Sequence, residues 1–303
     1  TINNAVAGGR CINTRDAIEL TLEKVVLNTT SSSNNQPLTI GGETAGTVVT
    51  IKDSDINAGV AGYGIISFVE CEVTVVNSTI DGYAAIYARE GSEGSVFNIT
   101  ENSVLTGNNS HNGESNNFAT LVTWAEDVTF NVSNSTIAST KTGDAPQPLV
   151  NAMGLDGVVL NVDADSTLDA ADGYYAGYSD DQTITIPATY AGEFEAEGFE
   201  TSVNDDGTCD AFITYVAEVN GVKYETLADA IEAAEEGDTV TLLGDIVLSS
   251  EVEIKKAITI DGAENSVTFT SKKAFRPYED ITFRNITINN AVAGGRCINT
   301  RDA

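Results

Sequence analysis

Positive charge is scarce in this chain, with 15 Lys and Arg against 45 Asp and Glu and a formal net charge of −30. A nucleic-acid binder needs the opposite balance, because cationic side chains must neutralise phosphates. An anionic membrane surface is excluded on the same ground. No run of about 18 apolar residues exists to span a bilayer as a helix. Methionine is nearly missing too. The one residue, Met153, is internal and the sequence opens on Thr1, so the expectation is a window within a longer polymer. The absence of a signal peptide is uninformative for such a window. Apolar residues still make up 41% of the chain, enough for a packed core rather than disorder.

What is present begins with the two ends. Residues 1–17 read TINNAVAGGRCINTRDA, and residues 287–303 read the same without one substitution. The sequence therefore repeats with a period of 286 residues, and a repeat of this kind decides architecture before any local reading does. Identity between copies favours a covalent tandem array over overlapping subunits of a filament. Without the duplicated segment, one period holds 44 acidic and 13 basic residues, a net −31. Charge of that size keeps a long polymer soluble and makes parallel filaments repel.

Within the period the pattern is short strands. ITFRNITIN from Ile281, LTLEKVVLN from Leu20, VTIKDSDIN from Val49 and VTVVNSTID from Val73 align with one another. So do FNITENSVL from Phe97, FNVSNSTIA from Phe130 and LNVDADSTL from Leu160. Counted across the repeat boundary, these segments start 25, 29, 24, 24, 33 and 30 residues apart. Each alternates apolar and polar residues, which places Phe283, Leu22, Ile51, Val75, Ile99, Val132 and Val162 on the face of their strand's first residue. Further members are expected at Val240, Ile258 and Thr183. Spacing of this size suits one turn of a coil whose strands stack on the preceding turn. Ten such rungs advance about 48 Å per period at the ordinary strand spacing. An antiparallel sandwich has no need of segments so alike in phase, and the Leu lattice of leucine-rich repeats is absent.

One helix is expected near residues 226–235, with a capping start at Thr226 and Asp229. Leu227, Ala230, Ile231 and Ala234 share one face, and Gly237 ends it. Such a helix plugs the open end of the coil, where an uncovered rung would expose unpaired backbone groups. The expected organisation is rungs over residues 1–190, a joint segment over 191–215, and over 216–303 the cap and first rungs of the next repeat. The joint segment is expected to pack against the neighbouring cap and stiffen the array.

VNGVKYETLADAIEAAEEGDTVTLLGD, residues 219–245, resembles the opening of pectate-lyase-like right-handed parallel β-helices. It is most similar to those of large tandem-repeat surface proteins and adhesins of bacteria and archaea. The resemblance is close over the helix and first rung, and is one of pattern elsewhere. It implies an all-β, right-handed parallel β-helix with a short capping helix, an extracellular, cell-surface location and a structural or adhesive role.

The same fold family holds polysaccharide lyases and hydrolases. Asn13-Thr-Arg-Asp16 and Ser179-Asp180-Asp181-Gln182 are similar to the acidic motifs of its glycosidases, where paired carboxylates act as acid and base. The family's histidine motif has no counterpart, because the single His111 lies in a polar loop. Lyase chemistry would require a cation beside a calcium-binding acidic cluster, and Arg10, Arg15, Arg89, Arg276 and Arg284 show no such grouping. No enzyme is expected, and no cofactor is required.

Calcium is the one cofactor with candidate ligands: Asp205, Asp206 and Asp210 in one Gly turn, Asp163 and Asp165 in another. Solvated acidic turns explain the same residues. Asn28, Asn77, Asn98, Asn108, Asn131, Asn134 and Asn285 head N-x-S/T sequons and are candidate glycan sites. Asn also suits rung corners for its tolerance of unusual backbone angles. The period holds three cysteines, Cys11, Cys71 and Cys209, and an odd number cannot all pair within it. Cys11 and Cys71 sit two rungs apart, about 9.6 Å, which is beyond bridging reach. Buried free thiols are expected, with a link between polymers through Cys209 as the alternative. Tyr174, Tyr175 and Tyr178 offer rings for stacking on sugars or for packing a loop on the coil. The functional expectation is a fibre or stalk repeat whose partners are copies of itself. A glycan-binding adhesin module is the second reading.

Overall fold

The computed structural model describes residues 1–29, 34–59, 62–108, 119–140, 148–152, 155–170, 176–177, 182–196 and 199–300. The chain forms two compact units, Thr1–Phe212 and Ile213–Ala303. His111, Met153, Tyr174, Tyr175, Tyr178, Asp180 and Asp181 lie outside the described residues.

The first unit is a parallel solenoid with three sheets. Each turn visits sheet A, then sheet B, then sheet C, as in Ile2–Asn4, Arg10–Asn13 and Glu19–Glu23. Sheets A and B each hold seven strands, and sheet C holds nine. From Leu20 to Leu160 the expected rung alignment is the observed one, whereas Val240 lies opposite Ile260 rather than Ile258, and Ile184 rather than Thr183 continues the column from Leu160. Val49 pairs with Val73, Val73 with Phe97 and Phe97 with Phe130, all parallel. Two residues along, Ile51, Val75, Ile99 and Val132 form the adjoining inward column, and all are buried. Phe97 and Phe130 stack with ring centroids 5.3 Å apart. Sheet A supplies a second column, Ile2, Leu27, Ile56, Ile80, Leu105, Ile137 and Leu168. Sheet B, which the sequence alignment did not contain, supplies a third through Ile12, Leu38, Ile65, Ile86, Leu121 and Val150.

The corner from sheet C to sheet A is tight and turns on one left-handed residue. Lys24, Asp53, Asn77 and Asn134 occupy it with φ between 44° and 56°. Asn and Asp adopt this conformation with the least penalty among side-chain-bearing residues. Behind it, Ser54, Ser78, Ser103, Ser135 and Ser166 are buried. The hydroxyls of Ser54, Ser78, Ser103 and Ser166 accept from the backbone of the preceding turn, as Ser78 does from Ser54 N at 3.0 Å and Ser166 from Ser135 N at 3.2 Å. A buried polar atom is cheap here only because each finds its partner one rung away.

The first unit closes on a device that the strand pattern did not predict. Ala191–Ala196 is a short helix, with Phe194 buried against Phe199 at 5.2 Å between centroids. The hairpin Glu200–Val203 and Thr208–Phe212 then pairs antiparallel on Thr183–Pro187, ending the parallel ladder. Residues 191–212 are thus an integral end of this unit.

The second unit opens in a comparable way. Ala217–Val219 and Val222–Tyr224 form a hairpin whose first strand pairs antiparallel with Thr239–Leu242. The cap helix, Leu227–Ala233, buries Leu227, Ala230 and Ile231, with Ala234 buried just beyond it. Thr226 caps it, accepting from Asp229 N at 3.1 Å. The Lys256 ammonium closes the other end, donating to the carbonyls of Glu232 and Ala234, where the helix leaves acceptors unpaired. The backbone edge of the rung at Val240 is therefore covered by the hairpin, while the helix fills the apolar end. Three turns follow, with strands at Thr239–Leu242, Ile258–Asp261 and Ile281–Arg284 on one sheet.

Candidate interface and binding faces

The duplicated segment is the first place to look for an interface, because it occurs once in each unit. Both copies fold alike. Asn4 Nδ2 donates to Arg10 O at 2.9 Å, and Asn290 Nδ2 to Arg296 O at 3.1 Å. Val6 N reaches Asn4 Oδ1 at 3.0 Å, and Val292 N reaches Asn290 Oδ1 at 3.0 Å. Gly9 N to Val6 O and Gly295 N to Val292 O are both 2.8 Å. Gly8 and Gly294 both take positive φ, and each thiol, Cys11 and Cys297, donates to the carbonyl of the isoleucine nine residues before it. Their strand neighbours differ. Ile2–Asn4 is paired by the following rung, Val26–Thr29, whereas Thr287–Asn290 is paired by the preceding rung, Ser266–Phe269.

Outside sheet B lies a feature with no counterpart in the sequence reading. Ile66, Tyr87 and Val122 point away from the main core, yet all three are buried. They belong to a separate cluster with Ala84 and Ala119, flanked by Tyr63, Phe68 and Trp124. Tyr63 and Tyr87 have ring centroids 5.0 Å apart, and Tyr87 and Trp124 are at 5.7 Å. The Arg89 guanidinium sits 5.4 Å from Phe68 and 5.8 Å from both Tyr87 and Trp124. That is within cation–π range. Burial pushes the Tyr83 and Tyr87 hydroxyls up to about 12. The available signal was non-alternation: Ala84–Ala88 is apolar and buried at every position, as a strand covered on both faces must be.

Asn13, Arg15 and Asp16 line an open cleft of about 550 Å³ on the first rungs of the first unit, with Arg10, Glu43 and Phe68. Asp16 and Glu43 are both exposed. Among the described residues, no three His, Cys, Asp or Glu side chains group as a metal site.

The acidic residues proposed for calcium are engaged in turns. Asp206 accepts from Thr208 N at 3.0 Å and Thr208 Oγ1 at 2.6 Å, and these bonds hold its carboxyl below the usual range. Asp210 accepts from Thr185 Oγ1 at 2.9 Å. Asp163 joins two rungs, accepting from Asn134 N at 3.1 Å and Ser166 Oγ at 2.6 Å. Asp165 and Asp205 are exposed.

The sequon asparagines divide by position. Asn77, Asn134 and Asn285 are exposed corner residues with φ of 44° to 49°. Asn98 and Asn131 are half-buried in an outward ladder on sheet C, where Asn161 donates to Asn131 and Asn131 to Asn98, both at 2.9 Å. Asn28 donates to Asn3 Oδ1 at 3.0 Å, and Asn108 to Gly59 O at 3.3 Å.

All four cysteines are free. Cys71 and Cys209 are buried, and burial pushes the Cys71 thiol up to about 11. Cys209 is on the closing hairpin itself with its side chain enclosed, so it is a buried free thiol as expected and presents no accessible sulfur for a bond between polymers. No family model, curated protein or solved structure matches the chain.

Proposed function

We propose that this chain is a structural repeat of an extracellular fibre or stalk on a cell surface, with copies following one another end to end. The observation that carries the reading is the duplicated segment. Seventeen residues are identical, and over 1–14 and 287–300, the part described in both copies, they build the same turn with the same internal hydrogen bonds. A duplicated segment that folds alike in both places is what a tandem solenoid array requires. The resemblance of residues 219–245 to the openings of surface-protein β-helices supports the location. The net charge of −30 supports a soluble, mutually repelling polymer. In this reading the partners are copies of the chain, and neither catalysis nor a bound cofactor has a part.

The test is electron microscopy of polypeptides with increasing numbers of periods. Unbranched rods should lengthen by about 48 Å per period. Particles whose length does not grow with the number of periods would overturn the reading.

The half-buried rim of the aromatic cluster outside sheet B, Tyr63, Phe68 and Trp124 around Arg89, favours a second reading, a glycan-binding adhesin module, because aromatic faces beside a guanidinium suit a sugar ring. Glycan-array binding that disappears with Trp124→Ala would support it.

A further inference from the structure

We propose that the two units are the two parts of one solenoid: in the continuous polypeptide, the second unit of one period runs without a break into the first unit of the next. This rests on the tandem reading above and specifies the surface through which one copy meets another. The two copies of the duplicated segment have the same fold but complementary neighbours. Ile288 is paired with Val267 before it, and Ile2 with Leu27 after it. Placing one copy on the other therefore joins the rung before Ile288 to the rung after Ile2. Sheet A then continues as Ile246, Val267, Ile288 (as Ile2) and Leu27. Sheet B continues as Val252, Phe275, Ile298 (as Ile12) and Leu38.

The duplicated residues do not reach sheet C, so its seam is an independent check on the register. Carrying over the 25-residue step from Ile2 to Leu27 pairs Ile281 with the next Leu20, Thr282 with Thr21, and Phe283 with Leu22. Every partner agrees in kind: apolar faces apolar inside and Thr faces Thr outside. The corner agrees as well, because the left-handed Asn285, φ 49°, falls above the left-handed Lys24, φ 56°. A slip of one residue would set Phe283 against Thr21 or Glu23 and turn the core face outward.

The resulting body has ten parallel strands on sheet C, three from one period and seven from the next. It opens on the hairpin at Ala217–Tyr224 with the cap helix, and closes on the hairpin at Glu200–Phe212. Both ends of the parallel ladder are terminated by antiparallel strands, which protects edges that would otherwise pair promiscuously. The structural repeat therefore begins at Ile213 and ends at the next Phe212, and each period is a separately closed rod.

The experiment uses this chain continued beyond Ala303 by residues 18–303 of the next period, with the native cysteines changed to alanine. Thr282→Cys is combined with Thr21→Cys in the rung that follows it. Thr50→Cys with Thr74→Cys, a neighbouring pair in the first unit, calibrates crosslinking, and Thr282→Cys with the following Thr50→Cys tests the register. The seam pair should crosslink to the same extent as the calibrating pair, and the two-rung pair should not. In the parent sequence, hydrogen exchange should be as slow over the following Glu19–Glu23 as over Thr47–Lys52. A fast-exchanging Glu19–Glu23 without a seam crosslink overturns the proposal, even if rods are seen, and leaves the fibre reading standing. Crosslinking of the two-rung pair overturns it too. A protected, crosslinked seam in a polypeptide whose particles do not lengthen with added periods supports the seam and removes the fibre.

Discussion

Ile2 and Ile288 hold the same place in two identical segments and have opposite neighbours: Ile2 stacks on Leu27 of the following rung, and Ile288 on Val267 of the preceding one. A solenoid strand has two edges, and between them the two copies display both partners. Four predictions about the rungs and their ends can be checked on the chain itself.

Ile231 is the central apolar residue of the cap helix, buried with Leu227, Ala230 and Ala234. Ile231→Asp places a carboxylate in that site, at a cost of about 3 kcal/mol or more. Denaturant melts should show the second unit unfolding at lower denaturant concentration, with the first unit unchanged. An unaltered profile would mean that the helix does not hold this end of the coil.

Asn77 turns the corner between sheets C and A with φ 44°. Asn77→Val should cost about 1–2 kcal/mol, because a branched side chain is penalised in the left-handed region. Asn77→Gly should come within a few tenths of wild type. Equal losses for the two, measured by chemical denaturation, would place the effect in the Asn77–Asp53 hydrogen bond of 2.7 Å instead.

If the sequons are used, geometry ranks them. The exposed corner residues Asn77, Asn134 and Asn285 should carry glycans in a secretory host. Asn131 should carry little, since it is half-buried within the outward ladder, between Asn98 and Asn161. Peptide mapping by mass spectrometry reads the occupancy directly. Full occupancy at Asn131 with empty corners would contradict the ranking.

Burial raises the Cys71 thiol from 9.0 to about 11, and the Tyr83 and Tyr87 hydroxyls from 10.0 to about 12. The folded state holds these protons more tightly than the unfolded state does. Their contribution is therefore complete below pH 9 and is lost as pH rises toward 12. The melting temperature should fall across that window, and Cys71→Ala should remove the part between about pH 9 and 11. In the native state at pH 8, Cys71 and Cys209 should resist thiol reagents, and they should react fully once the chain is unfolded. Rapid native labelling of either would contradict their enclosure.

Much of this architecture was legible in the sequence. The period came from seventeen identities. Sheet C came from the alternation that opens segments such as VTVVNSTID, because a strand with one buried face must alternate; that the tail of each segment, as in Thr79–Gly82, forms a strand of a second sheet was decided by the structure. The cap helix came from its capping residues and apolar stripe, and free thiols from their number and spacing. Sheet B was not legible, because its middle strands are covered on both faces and carry no alternation, as in Ala84–Ala88. The closing hairpins and the short helix at Ala191–Ala196 were missed for a related reason: such elements are too brief to show a period of their own. The aromatic cluster around Arg89 was equally hidden, since Phe68, Tyr87, Arg89 and Trp124 come from different turns and meet only when the turns stack. Local sequence determined the rungs, since a strand's phase and a corner's backbone angles are properties of a few adjacent residues. Tertiary structure alone decided which surfaces the rungs bring together, because that depends on pairing between residues a full turn apart.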